Sequence, residues 1–186
     1  MADQLRVLGF AGSLRQGSYN KMALRAAVEL APAGMTIETF DIAPMEPYNE
    51  DVKQKGFPPP VQELREKIRA ADALLIVTPE YNHSIPGVLK NAIDWASRPP
   101  DQPFNNKPIA IMGASPGRLG TIRAQLHLRA CFVFLNGLVM TQPEVLIANA
   151  AQMFDDQGRL TDQPTRELIA KLLISLADWT RRLAGA

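Results

Sequence analysis

The stretch that most constrains this chain is Leu5 to Asn20, LRVLGFAGSLRQGSYN. Leu5 to Ala11 is an apolar run of strand length with no polar alternation, the pattern of a strand covered on both faces of a parallel sheet. Gly12 ends it, a short polar loop follows, and Lys21 to Leu30 carries apolar residues at helical spacing. A strand, a Gly-bounded polar loop and a helix together aim free backbone N–H groups and the positive helix end at one place, which suits an anion.

The loop's residues narrow the choice of anion. Gly12 and Gly17 have the glycine spacing of a P-loop, but Ser18 and Tyr19 stand where that motif needs Lys and Ser/Thr to hold distal phosphates and magnesium. The dinucleotide pattern GxGxxG is absent, because Gly9, Gly12 and Gly17 are spaced differently. What remains is a dense donor set: the hydroxyls of Ser13 and Ser18, the amide of Asn20 and the guanidinium of Arg15. Such a set suits the terminal phosphate of a mononucleotide. The plain structural alternative is a capped helix start beside a solvated arginine.

Size and charge limit the partners. A length of 186 residues suits a single domain, residues 1–186, with a sizeable core. Lys+Arg 20 against Asp+Glu 19 leaves a formal charge of +1, so neither nucleic acid nor an anionic membrane is an expected partner. Met1 to Arg6 has no signal-peptide pattern, and no apolar run is long enough to span a bilayer, so a cytoplasmic location is expected. The one cysteine, Cys131, lies in an apolar run and reads as a packed core residue. His83 and His127 are too far apart in sequence to suggest a metal cluster.

Further along, Met35 to Phe40 alternates like a more exposed strand, and a long Pro-rich loop runs from Ile42 to Pro60. Loops of that length in compact domains usually cover a site or meet a partner. Val61 to Ala70 reads as an amphipathic helix, Ala73 to Thr78 as a second buried strand, and Val88 to Ala96 as a helix. Ile109 to Ala114 reads as a third buried strand, and a long helix then reaches about Leu135. One last strand over Leu138 to Ile147 and a helix over Pro164 to Leu183 complete five strands alternating with five helices. That alternation predicts an α/β fold, a parallel sheet of order 2-1-3-4-5 with helices on both faces. In that order the loops GSLRQGSYN, PEYNHS and SPGRLG all leave the carboxyl ends of neighbouring strands, around the point where the strand order reverses.

Gly113 to Gly117 also matches the G-x-S-x-G pattern of a hydrolase nucleophile elbow. Two features argue against it. Pro116 lacks the N–H that the oxyanion hole takes from the residue after serine, and no acid lies between Ser115 and His127, the only later histidine. Ser115 and Gly117 are read instead as a close-approach loop facing a flat ligand.

Taken together, GSLRQGSYN, YNEDV at Tyr48 to Val52, TPEYNHSIPGVLKNAIDWASRP from Thr78 to Pro99, Ser115 with Gly117, FVFLNG and QPE at Gln142 to Glu144 resemble the NADPH-dependent FMN reductase family, in its bacterial quinone and chromate reductase branch. The resemblance covers almost the whole chain and implies a flavodoxin-like fold binding FMN. The phosphate would lie in the loop with Ser13, Arg15, Gly17, Ser18, Tyr19 and Asn20. Pro79, Glu80, Tyr81, Asn82 and His83 would meet the flavin ring largely through backbone, and Ser115 with Gly117 would close its other side. It implies hydride transfer from NADPH, or NADH, through FMN to a quinone, with chromate or free flavin as further acceptors and a ping-pong order. The flavin carries that chemistry, so no catalytic acid or base is assigned. The chain departs from the family at His83 and Leu126, where relatives often have tyrosine. A flavodoxin-like single-electron carrier is the alternative, weakened by the lack of an acidic surface at charge +1.

The long helix points to assembly. Ala124, Leu128, Cys131 and Leu135 suffice to pack it on the sheet, yet Ile122, Leu126 and Val133 form a second apolar stripe. A homodimer would cover the second stripe, and the family resemblance implies a further step to a homotetramer, in which Arg123 and Glu144 would reach a neighbouring chain. The alternative is that the chain's own C-terminal helix covers the stripe.

Overall fold

Each uninterrupted apolar run became a central strand, and each sends alternate side chains into two separate cores. The computed structural model describes residues 4–185; Met1 to Asp3, part of the stretch read for a signal pattern, and Ala186 lie outside them. The elements are β1 (Leu5–Ala11), α1 (Tyr19–Glu29), β2 (Met35–Phe40), α2 (Glu50–Lys53), α3 (Pro59–Ala70), β3 (Ala73–Val77) and α4 (Gly87–Ala96). They continue with β4 (Pro108–Ala114), α5 (Ile122–Phe134), β5 (Leu138–Val139), β6 (Val145–Ile147) and α6 (Gln163–Ala184). The sheet is parallel with the order β2-β1-β3-β4-β5, and β6 also pairs with β4. This is the strand order expected from the alternation of runs, and the flavodoxin-like arrangement that the resemblance implies.

The registers assign the faces. Val7 and Ala11 of β1, Leu75 and Val77 of β3, and Ala110 and Met112 of β4 join one core under α1 and α6. Leu8 and Phe10, Leu74 and Ile76, and Ile109 and Ile111 join the other, under α3, α4 and α5. A central strand that alternates between two apolar layers has no polar face, which is why these segments carry no period of two in polarity.

Two expectations need correction. The final strand is not continuous: β5 pairs with the start of β4 and β6 with its end, through Pro108↔Leu138 and Met112↔Val145. Pro143 in the intervening segment cannot donate to a ladder, so the apolar pattern of Leu138 to Ile147 breaks into two short strands. The Pro-rich segment from Ile42 to Pro60 is also not a plain loop. It contains α2, whose N-cap Asn49 accepts from Asp51 N at 2.8 Å. It folds back onto α4, where Asn91 Oδ1 accepts from Tyr48 N at 2.7 Å and Trp95 Nε1 donates to Glu46 O at 2.8 Å.

α5 packs through Ala124, Leu128 and Phe132, all fully buried, and Leu135 just beyond its end. Phe132 takes the place expected of Cys131, which is half-buried. α6 lies on the opposite face of the sheet, so it does not cover the second stripe of α5: Leu126 is 54% exposed and Val133 81%, while Ile122 is half-buried, and Phe134, outside the expected stripe, is 91% exposed. At the amino ends of the strands, Gln4, Leu5, Arg6 and Asp72 line a cleft with Thr180 and Gly185 from the end of α6.

Candidate functional site

The three polar loops converge at the carboxyl ends of β1, β3 and β4, which are neighbours in the sheet. In the first, Ser18 is the N-cap of α1, and its hydroxyl accepts from Asn20 N at 3.2 Å and Lys21 N at 3.4 Å. Asn20 bolts α1 to β4: its Nδ2 donates to Ala114 O at 2.8 Å, and its Oδ1 accepts from Ala114 N at 2.9 Å. Both side chains therefore shape the loop through contacts within the chain, so the cap alternative describes part of what they do. Arg15 curls back to donate to Gly17 O, with its guanidinium 5.6 Å from the centre of the Tyr19 ring. Tyr19 in turn stacks on Phe154 at 5.8 Å.

Between β1 and the cap, the N–H groups of Ser13 to Gly17 have no acceptor among the described residues. The Ser13 hydroxyl, on a residue only 4% exposed, has no partner among them either. A Cβ added at Gly17 would meet nothing within 4 Å. A run of unpaired donors before a helix start, with open space beside it, is what an anionic oxygen group needs, and the phosphate of a mononucleotide fits this donor set.

The second loop is a tight hairpin. Tyr81 and Ser84 exchange both backbone hydrogen bonds at 3.0 Å, and Asn82 and His83 at its tip have φ of 50° and 62°, the pattern of a type I′ turn. Thr78, at its base, is fully buried and donates from its hydroxyl to Pro79 O at 2.8 Å. The Glu80 carboxylate does not face open solvent. Its Oε2 accepts from the N–H groups of Arg123 at 2.9 Å and Ala124 at 3.1 Å in the first turn of α5, and Oε1 lies 3.5 Å from the Arg123 guanidinium. Arg123, expected to reach a neighbouring chain in a tetramer, is thus paired within its own chain. The side chain of Ser84 meets His127 Nδ1 at 3.0 Å.

The third loop closes on itself. The Ser115 hydroxyl donates to Gly120 O at 2.7 Å and accepts from Gly117 N at 3.2 Å, while Gly117 O accepts from Asn149 N at 3.0 Å. A nucleophilic serine would be hydrogen-bonded to a base; here the hydroxyl fixes a turn, and His127 is occupied with Ser84. The Cys131 thiol is no better placed, since burial pushes its pKa up and its Sγ is 3.4 Å from His127 O.

Sequence reasoning missed three contributors. Glu80 as a cap has no local signal, because its acceptor position lies 43 residues from Arg123. Thr121, fully buried beside Gly113, and Asn149, with φ of 47°, frame the third loop. A left-handed residue is signalled in sequence only weakly, by asparagine itself.

A six-stranded parallel sheet whose order reverses between β1 and β3, with a donor-lined loop at the end of β1, defines a flavodoxin-like, mononucleotide-binding α/β protein. The family model described as NADPH-dependent FMN reductase matches residues 5–152. The chain belongs to that family, and is an oxidoreductase whose cofactors are FMN and NAD(P)H. It is 60% identical over 185 residues to an NAD(P)H-dependent FMN reductase of Pseudomonas aeruginosa, with both chains fully covered. It is 44% identical over 186 residues to a quinone reductase of Escherichia coli K12, covering 98% of this chain and 99% of the relative. Among solved structures, the flavoenzyme NAD(P)H:(acceptor) oxidoreductase FerB of Paracoccus denitrificans superposes with a TM-score of 0.87 at 34% identity, over 96% of this chain and 98% of that one.

Proposed function

We propose that the chain is a single FMN-binding domain that passes reducing equivalents from NADPH to quinones, with chromate and free flavin as further acceptors. The observation that carries this reading is the run of N–H groups from Ser13 to Gly17, unpaired among the described residues, in front of α1. Ser13, Arg15, Gly17 and Tyr19 would hold the FMN phosphate, and Ser18 and Asn20 would keep their loop in shape. Pro79, Glu80, Tyr81, Asn82 and His83 would line the ring on one side, and Ser115 with Gly117 on the other. When bound, FMN supplies the capacity to take up and release hydride. The protein's part is to bind, orient and exclude water, and no side chain of the three loops is assigned a proton to move. The acceptor class follows the quinone reductases among the relatives, and the cytoplasmic location expected from the sequence remains part of the proposal.

Two measurements test it. FMN is expected to bind more tightly than riboflavin, and Arg15→Ala to weaken FMN roughly 10- to 100-fold, as losing one charge-assisted contact of ~1.5–3 kcal/mol requires, while leaving riboflavin unchanged. Equal affinities of the wild type for FMN and riboflavin would remove the phosphate assignment. Quinone reduction by NADPH should give parallel double-reciprocal lines, since both substrates would use one face in turn; intersecting lines would exclude the shared site.

The same reading includes assembly as a homodimer or homotetramer through the uncovered stripe of α5. Leu126, Val133 and Phe134 are large, apolar and exposed along one helix. Light scattering after size exclusion is expected to give a dimer or tetramer for the wild type and a smaller particle for Leu126→Asp. A wild type that is monomeric and fully active at micromolar concentration would rule assembly out.

A further inference from the structure

The hairpin that follows β3 is held to the rest of the molecule in an unusual way. Once past Thr78, whose N–H donates to Met112 O at 2.9 Å, it has no ladder partner in the sheet. Its internal hydrogen bonds join Tyr81 to Ser84. Among the described residues, its hydrogen bonds to another element all go to α5. Glu80 Oε2 accepts from Arg123 and Ala124, and one turn later Ser84 meets His127. α5 itself lacks an internal cap, because Thr121 at its N-cap position makes no capping side-chain bond. Glu80 fills that role from outside the helix, placing a carboxylate on the N–H groups of the second and third helical residues, where a capping side chain normally acts.

The helix is a firm anchor. Ala124, Leu128 and Phe132 are buried against the sheet, Gln125 Nε2 donates to Val145 O at 3.0 Å, and Arg129 donates to Met140 O. The hairpin tip has no such anchoring of its own: its two central residues lie in the left-handed region that the tight turn requires, and among the described residues the turn's hydrogen bonds beyond itself run only to α5.

We propose that Glu80 is a positioning residue: its carboxylate, capping α5 from the neighbouring loop, sets where the Tyr81–Ser84 hairpin presents its backbone to the flavin ring. This rests on the flavin reading above and deepens it, assigning the side chain of Glu80 to α5 and its backbone to the ligand. Arg123 adds the charge partner on the same turn, 3.5 Å from Oε1.

The test compares Glu80→Ala, Glu80→Gln and Arg15→Ala in the full chain. FMN and riboflavin are titrated by fluorescence quenching, and amide hydrogen exchange is followed at Arg123 and Ala124 in the flavin-free protein. Because the hairpin addresses the ring and not the phosphate, Glu80→Ala should weaken FMN and riboflavin by the same factor, on the order of tenfold. It should also speed exchange at both amides. Glu80→Gln, which keeps an acceptor oxygen, should recover most of the affinity and the protection. Arg15→Ala should lower FMN affinity alone. If Glu80→Ala does not fold, Glu80→Asp, one methylene short of the helix, carries the same expectations.

Unchanged flavin affinity in Glu80→Ala would overturn the proposal. So would weakened affinity with the Arg123 and Ala124 amides still protected, because the carboxylate would then be touching the ligand rather than the helix. Failure of the phosphate assignment reads differently: Arg15→Ala would no longer distinguish FMN from riboflavin, while the exchange result at α5 would stand.

Discussion

Arg65→Met is expected to destabilise the protein by about 3 kcal/mol or more, seen as a lower urea midpoint with an unchanged slope. Arg65, on α3, is 1% exposed. Its guanidinium lies 4.1 Å from the centre of the Phe57 ring and donates to Ala96 O at the end of α4, to Arg98 O at 2.8 Å, to Pro100 O, and to Asp101 O at 3.3 Å. Among the described residues no carboxylate forms an ion pair with it. Burial lowers its pKa from the usual arginine value, the largest of the influences on it, yet arginine stays protonated. The charge is thus held by carbonyl dipoles at a helix C-terminus, the end that favours a cation. Methionine fills much of the volume but leaves the Ala96, Arg98 and Pro100 carbonyls without that donor, while Asp101 O keeps Arg69 Nη2 at 3.5 Å; each unsatisfied acceptor costs about 1–3 kcal/mol. Arg65→Lys should fall between, because a single ammonium cannot reach both sides of the turn. An unchanged midpoint in Arg65→Met would mean that water reaches these carbonyls freely.

Gly113→Ala should lower the melting temperature by roughly 5–10 °C and weaken flavin binding with it, because overpacking of about 2–3 kcal/mol corresponds to that shift in a chain of this size. A Cβ at position 113 would stand 2.0 Å from Thr121 Oγ1 and 2.2 Å from the backbone oxygen of Thr78. The hydroxyl can rotate away; the carbonyl can move only if β3 and β4 separate where Thr78 N bonds to Met112 O. Relief of the clash therefore pries apart the bases of the second and third loops. Gly17→Ala is the control, with open space around the added methyl and an expected change in flavin-free stability within about 0.5 kcal/mol. Equal melting temperatures for Gly113→Ala and the wild type would refute the close approach.

The central sheet was legible because Leu5–Ala11, Ala73–Val77 and Pro108–Ala114 are apolar on both faces, a pattern few other folds need. The divided last strand was not, because its residues are apolar whether or not they pair; Pro143 was the only sign of the break. α2 was hidden among prolines, although Asn49 followed by Glu50 and Asp51 is a helix-start signal that could have revealed it. Arg65 had a readable position too: Val61, Leu64, Arg65 and Ile68 form the buried stripe of α3, with a charge where an apolar residue belongs. In the candidate site, the loops and their convergence were readable from position along the chain. The division of labour within them was not. Ser18, Asn20, Glu80 and Ser115 all hold partners supplied by backbone folding, and three of the four reach backbone close by in space or across the sheet that no local pattern announces.

The cleft that brings Gln4 and Gly185 together lies at the amino ends of the strands, and the three polar loops lie at the carboxyl ends. The sheet thus separates a handle from a working edge. A tether attached at either residue, to a bead, an electrode or a fused partner, would leave from the side remote from the loops. Both attachment points are equivalent in this respect, so immobilisation at Gln4 orients the molecule much as immobilisation at Gly185 does, with the loop edge turned outward to the solution.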